Sequence, residues 1–115
     1  MFAYAIIHRV CDIWRGYWVQ RILWEINAQL AFLNATAIQV RNAHDYLLDF
    51  LDELDLYDSA GRLTRYLAEW SPDESEYLFD VILQLHMDMA AGGFWERNEA
   101  ELTIAWLLDL IDVGY

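Results

Sequence analysis

Leu23-Trp24-Glu25-Ile26-Asn27-Ala28-Gln29-Leu30-Ala31-Phe32-Leu33-Asn34-Ala35-Thr36-Ala37-Ile38-Gln39-Val40 is the stretch whose reading decides the fold. Stepping by three and four through it, Val19, Leu23, Ile26, Leu30, Leu33, Ala37, Val40, His44, Leu47, Leu51 and Leu54 make an apolar seam with the period of a buried helix, interrupted only by His44. The spacing predicts helix from 12 to about 57, continuous or nearly so, with any interruption near 28–36 and with Asn34 and Asn42 as its weak points. The competing reading is a strand at 30–33 imposed by tertiary structure.

Downstream, breakers are scarce and fall where helices should stop. Ser71-Pro72-Asp73-Glu74 supplies a cap, a proline at the first helical position and a glutamate three residues after the cap, so a helix is expected over 72–91, ending at Gly92-Gly93. Asn98 and Glu101 repeat the start signal and Gly114 the stop, giving a last helix over 98–112. Leu63, Tyr66, Leu67 and Trp70 share one face of a short helix over 60–70. The fold class is mainly α: a helical bundle with a long N-terminal helix and three shorter ones. Residues 1–115 are expected to form a single helical domain.

Composition sets limits on function. At 115 residues, 57% hydrophobic and 16% aromatic, the chain is too apolar for disorder and suits one domain burying about two thirds of its unfolded surface. Residues 1–41 carry four Arg against Asp12 and Glu25, a net of +2, whereas residues 42–115 carry three Arg against seventeen acids, a net of −14. That field repels phosphate backbones, so nucleic-acid binding is not expected. All seven basic residues are Arg, a choice that favours fixed planar ion pairs. The lone Cys11 allows no internal disulfide and reads as a small buried hydrophobe. No apolar run approaches the roughly 20 residues of a membrane helix, and Met1 to Ile7 lacks the charged start and cleavage motif of a signal peptide.

Metal and cofactor signals are weak. His8, His44 and His86 have no second ligand at zinc spacing, and His44 reads as a core histidine on the seam. Asp45, Asp49, Asp52 and Asp55 follow one side of a helix but lack the wrapped oxygen cage of a calcium site. No phosphate loop or nucleophile elbow is present. Asn34-Ala35-Thr36 formally matches a glycosylation acceptor within an apolar segment. Trp70, Trp95 and Trp106 each close an apolar helical face and read as core. No metal and no cofactor are expected.

The chemistry that remains sits at Asp12, Trp14, Arg15, Trp18 and Arg21. Aromatic faces stack on sugars and bases, and Arg grips phosphate oxygens with paired hydrogen bonds. A helix beginning near Asp12 adds partial positive charge for an anion, and a carboxylate can act as base toward an acceptor hydroxyl. Asp12 is thus the candidate catalytic residue, and Trp14, Arg15, Trp18 and Arg21 are the candidate substrate-binding residues. The plain alternative is that Asp12 caps the helix and pairs with Arg15 at i+3, while Arg21 pairs with Glu25 at i+4.

The words Asp12-Ile13-Trp14-Arg15-Gly16-Tyr17-Trp18-Val19-Gln20-Arg21, Asp55-Leu56-Tyr57, Gly61-Arg62-Leu63, Gly93-Phe94-Trp95 and Ala105-Trp106-Leu107-Leu108-Asp109-Leu110-Ile111-Asp112-Val113-Gly114-Tyr115 resemble, in this order, the C-terminal region of the STELLO family of glycosyltransferase-like proteins. The resemblance runs from Arg9 to Tyr115. It implies a C-terminal part of a larger glycosyltransferase-like protein, supporting a nucleotide-sugar site made mainly by other sequence and not active alone. It also implies, for the plant members, the Golgi membrane and assembly of the cellulose synthase complex. The family pattern has Gly-Gly where this chain has Asn27-Ala28, and Pro-Pro where it has Asn34-Ala35, so the relatives should break there and this chain should run on as helix. The alternative function is a self-contained helical bundle, natural or engineered, acting as an oligomerisation or protein-binding module. In either case a homodimer is expected, closed through Phe2, Tyr4, Ile6, Ile7, Trp14 and Trp18.

Overall fold

A computed structural model describes residues 11–74 and 77–115, with the side chains of Cys11 and Asp55 outside the description. Phe2, Tyr4, Ile6, Ile7 and His8 lie outside the described residues. The order is α1 (Cys11–Glu25), α2 (Tyr46–Asp52), α3 (Leu54–Glu69), α4 (Leu78–Ala91) and α5 (Arg97–Asp112). The protein is mainly α, and no strand occurs among the described residues. The chain divides into two compact units, 1–68 and 69–115.

The long N-terminal helix is interrupted, and the interruption is wider than 28–36: residues 26–45 are not helical. Its cause is at Asn27, whose φ of +55° is left-handed. Ala28 N–H bonds to Leu23 O at 2.8 Å and Asn27 N–H to Trp24 O at 3.1 Å, the paired bonds of a Schellman stop with Asn27 in the left-handed position. Asparagine tolerates that conformation better than other side-chain-bearing residues. Continuous helix is overturned, and so is the strand at 30–33: the chain there is extended but unpaired.

After the break, Asp45 caps α2, its Oδ1 accepting from Leu47 N–H at 2.9 Å and Leu48 N–H at 3.3 Å. The seven residues of α2 bury none of their side chains. Only Glu53 separates α2 from α3, and Phe50 and Tyr57 meet across it with ring centres 5.4 Å apart. Along α3, Leu63 and Leu67 are buried at i and i+4 with Ala60 and Leu56 half-buried on the same side, while Arg62, Arg65 and Glu69 face water. This helix, expected over 60–70, begins six residues earlier, at Leu54.

In the second unit α4 packs on α5. Helix α4 begins at Leu78 behind Tyr77, which makes no side-chain cap. The start expected at Ser71-Pro72 is not used: residues 71–74 are not helical, and Asp73 N–H donates to Gln84 Oε1 at 3.0 Å. Helix α5 likewise starts one residue before Asn98, with Glu96 at the cap position and no side-chain cap. Both C-termini close as α1 does. Phe94 N–H bonds to Met89 O and Tyr115 N–H to Leu110 O, each at 3.0 Å, around Gly93 at φ +75° and Gly114 at φ +98°. Gly92 itself is right-handed, so Gly93 alone supplies the positive φ expected of the pair.

Candidate functional site

Helix α1 does not bring its five singled-out side chains to one place. At about 100° per residue, Trp14, Trp18 and Arg21 fall on one face, and Asp12 and Arg15 lie together on another. The first face is the inner one: Trp14 and Arg21 are buried, 4% and 7% exposed, and Trp18 is half-buried. Arg21 pairs with Glu25 one turn on and lies 5.6 Å from the centre of the Trp24 ring. Asp12 and Arg15 are exposed, and Asp12 Oδ1 accepts from Ile13 N–H at 2.9 Å. A carboxylate in the first turn also suits the helix dipole.

The outward end of α1 borders a groove that the sequence did not disclose. Asp12 and Ile13 from α1, residues 39–44 from the extended segment, and Asp49 and Glu53 from the α2 region enclose a volume of about 590 Å³. The extended segment is held at both ends: Leu30 N–H donates to Gln20 Oε1 at 3.1 Å, and His44 Nδ1–H donates to Asn42 O at 2.9 Å. His44 Nε2 faces Asp49 Oδ2 at 3.4 Å, and its ring meets Tyr46 edge-on with centres 4.7 Å apart. Both ring nitrogens thus face acceptors. His44 is a groove residue on an exposed segment, contrary to the core role expected from the seam. That seam failed because its period presumed a helix that Asn27 had already ended.

Three carboxylates, Asp12, Asp49 and Glu53, stand against Arg41 and His44 in this groove. Such a lining suits a hydroxyl-rich group before a bare phosphate, since carboxylates accept from hydroxyls and repel anions. Among the described residues no three His, Cys, Asp or Glu side chains converge as a metal-holding group. No described helix is long and apolar enough to cross a membrane.

The second unit holds a separate buried polar cluster. His86, 5% exposed on α4, stacks on Trp95 with ring centres 4.2 Å apart, and Trp95 Nε1–H donates to His86 O at 3.0 Å. The Thr103 hydroxyl of α5 sits 3.2 and 3.3 Å from the two imidazole nitrogens. Trp70 Nε1–H donates to Asp88 Oδ2 at 2.8 Å. Trp70 and Trp95 are half-buried and use their N–H groups for packing, in keeping with a core role, but Trp106 is 48% exposed and is not core. The cluster's only sequence signal was His86 among the apolar residues of one helical face.

The family profile of STELLO glycosyltransferases matches residues 9–115. Two proteins of Arabidopsis thaliana, "Probable glycosyltransferase STELLO1" and "Probable glycosyltransferase STELLO2", are each 36% identical to this chain over 115 residues. The similarity covers 100% of this chain but 14% and 15% of those two proteins, in their C-terminal region. The chain thus spans about one seventh of their length. No solved structure matches it. Similarity that runs the whole length of the chain does not favour a self-contained bundle of separate origin.

Proposed function

The chain belongs to the STELLO glycosyltransferase family, and on that premise we propose that it is a C-terminal helical region that supports a nucleotide-sugar site and does not transfer sugar alone. The observation that carries this reading is the split of α1. The Asp12 and Arg15 face borders an open groove of carboxylates, Arg41 and His44, while the aromatic face with Trp14, Trp18 and Arg21 is turned inward. In this reading Asp12, with Asp49 or Glu53, accepts from acceptor or sugar hydroxyls and can serve as base. Arg41 is the guanidinium in the groove lining that would meet a phosphate oxygen. Trp14, Trp18 and Arg21 bind no ligand face to face but fix the helix that presents Asp12. The groove carries more negative than positive groups, so the diphosphate must be held mainly by the rest of the longer polypeptide. A nucleotide-sugar site in the family's full-length context fits that division.

Titration of the 115-residue chain with uridine and guanosine diphosphate sugars, with and without manganese, tests the reading. Weak binding without hydrolysis or transfer is expected, and Asp12→Asn should alter only the binding. Transfer or donor hydrolysis by the purified chain, lost in Asp12→Asn, would show that the region is catalytic by itself.

Self-association is a second reading, carried by α2, where Leu47, Leu48, Phe50 and Leu51 are all at least 46% exposed. A homodimer would bury this surface while Asp45, Asp49 and Asp52 stay outward. Light scattering at micromolar concentration should give twice 13.6 kDa; the single mass would remove the dimer.

A further inference from the structure

Asn34-Ala35-Thr36 has the form of an N-glycosylation acceptor, and none of the roles above uses it. As part of a buried helical seam the triplet would be closed to modification. The structure removes that objection. Residues 26–45 are not helical, Asn34 lies at a bend, and Asn34, Ala35 and Thr36 are all exposed. Among the described residues no backbone N–H from 31 to 41 bonds to another backbone carbonyl. A transferase must take the asparagine amide and the hydroxyl two residues on together. In a helix, at about 100° per residue, those two groups point to nearly opposite sides and the turn has to be unwound first. Here neither helix nor ladder has to be broken.

The surroundings of the triplet supply a use for the modification. No charged residue occurs from 26 to 40, and large apolar side chains stand in water on both sides of Asn34: Phe32 is 101% exposed, Leu33 88% and Ile38 97%. A hydrated oligosaccharide in the middle of this stretch is bulky and solubilising, and it offsets a surface that otherwise favours association. The triplet is also single. Asn27, Asn42 and Asn98 are exposed too, but the residues two positions on are Gln29, His44 and Ala100, which carry no hydroxyl. We propose that Asn34 is an N-linked glycan site of this chain. The transfer joins the Asn34 side-chain nitrogen to the anomeric carbon of an oligosaccharide carried on a polyprenyl diphosphate. The bond from that carbon to the diphosphate oxygen breaks, the polyprenyl diphosphate leaves with the electron pair, and one amide proton passes to a base of the transferase. Thr36 supplies the hydroxyl by which the acceptor is recognised. The groove takes no part, so the inference is independent of the nucleotide-sugar reading.

Full-length Arabidopsis STELLO1 carrying this chain in place of the region it matches, produced in plant cells, tests the site. Enzymatic release of its glycans in heavy-oxygen water turns a glycosylated asparagine into labelled aspartate, which mass spectrometry assigns to a residue. Label is expected at Asn34 and at none of Asn27, Asn42 and Asn98. Asn34→Gln and Thr36→Ala should each lose one glycosidase-sensitive step in gel mobility, and Thr36→Ser, which keeps the hydroxyl, should retain it. All three changes fall on exposed side chains of an unpaired segment and should leave folding intact. Unlabelled Asn34 overturns the proposal. The 115-residue chain behind a cleavable secretory leader then says why: label there means that the longer protein keeps the segment from the transferase, and no label means that the triplet itself is refused. Label that survives Thr36→Ala overturns it as well, because recognition would not run through the triplet.

Discussion

Helices α2 and α4 are both rich in large apolar side chains, and their local chemistry would rank them in the wrong order. Helix α2 has the better start, with Asp45 answering two orphan N–H groups, whereas Tyr77 before α4 answers none with its side chain. Yet α4 buries Val81, Ile82, Leu85, His86 and Met89, and α2 buries nothing. A cap contributes about 1 kcal/mol, while each fully buried large apolar side chain contributes about 1.5–3 kcal/mol. Four such side chains outweigh any cap. A seven-residue helix is also below the length at which helices persist unaided in water, so α2 is held by its junction with α3 at Glu53 and its cap at Asp45. The lesson is that burial decides which helix is permanent, and capping decides only where a marginal one begins.

The sharpest way to break that contrast is at Leu85, which is fully buried. Leu85→Ala should cost about 2–5 kcal/mol in urea unfolding followed by tryptophan fluorescence; a loss under about 1 kcal/mol would mean that the α4–α5 packing is not the stable part. Next comes the polar tie between Trp70 and Asp88. Trp70→Phe keeps an aromatic ring, though a smaller one, and removes a donor to a carboxylate; it should cost about 1–2 kcal/mol at this half-buried position, read as a lowered urea midpoint.

At Asn27, replacement by Ala places an ordinary side chain at φ +55° and should cost about 1–2 kcal/mol. Asn27→Gly should cost nothing and may be tested in the same thermal scan by circular dichroism. Equal behaviour of the two variants would contradict the Schellman stop. Asp45→Ala removes the cap of α2 at about 1 kcal/mol, seen as faster amide exchange over 46–52 with α4 unchanged. The smallest effect is expected at Phe32: Phe32→Ser in the 115-residue chain should change stability by less than about 0.5 kcal/mol, since the ring touches nothing it could lose.

Much of the second unit was legible in the sequence. Its helix ends were marked by Gly93 and Gly114, whose lack of a Cβ admits the positive φ of the stop, and the apolar period of α4 named its buried face. The start signals were less faithful. Ser71-Pro72-Asp73-Glu74 has every element of a capping box, but residues 71–74 are not helical, and Asp73 N–H goes to Gln84, eleven residues on. Likewise the pairing of Arg21 with Glu25 was readable at i+4, whereas the groove was not, because Asp12, Arg41, His44 and Asp49 meet only after the chain has broken and turned back.

By itself, then, the sequence determined the helical class, the acidic character of residues 42–115, the C-terminal stops at Gly93 and Gly114, and the family to which the chain belongs, since these depend on residue type and local period. Tertiary structure decided the rest. An apolar three-four period over 26–45 is compatible with helix or with extended chain, and the choice fell to one residue, Asn27, whose tolerance of the left-handed region let the Leu23 and Trp24 carbonyls close the helix. Once α1 stopped there, the side-chain tie from Gln20 to Leu30 and the capping carboxylate of Asp45 set the path of the segment. The tie from Gln20 to Leu30 joins residues that no local pattern links, so only the folded backbone could assemble the groove and leave residues 30–40 exposed.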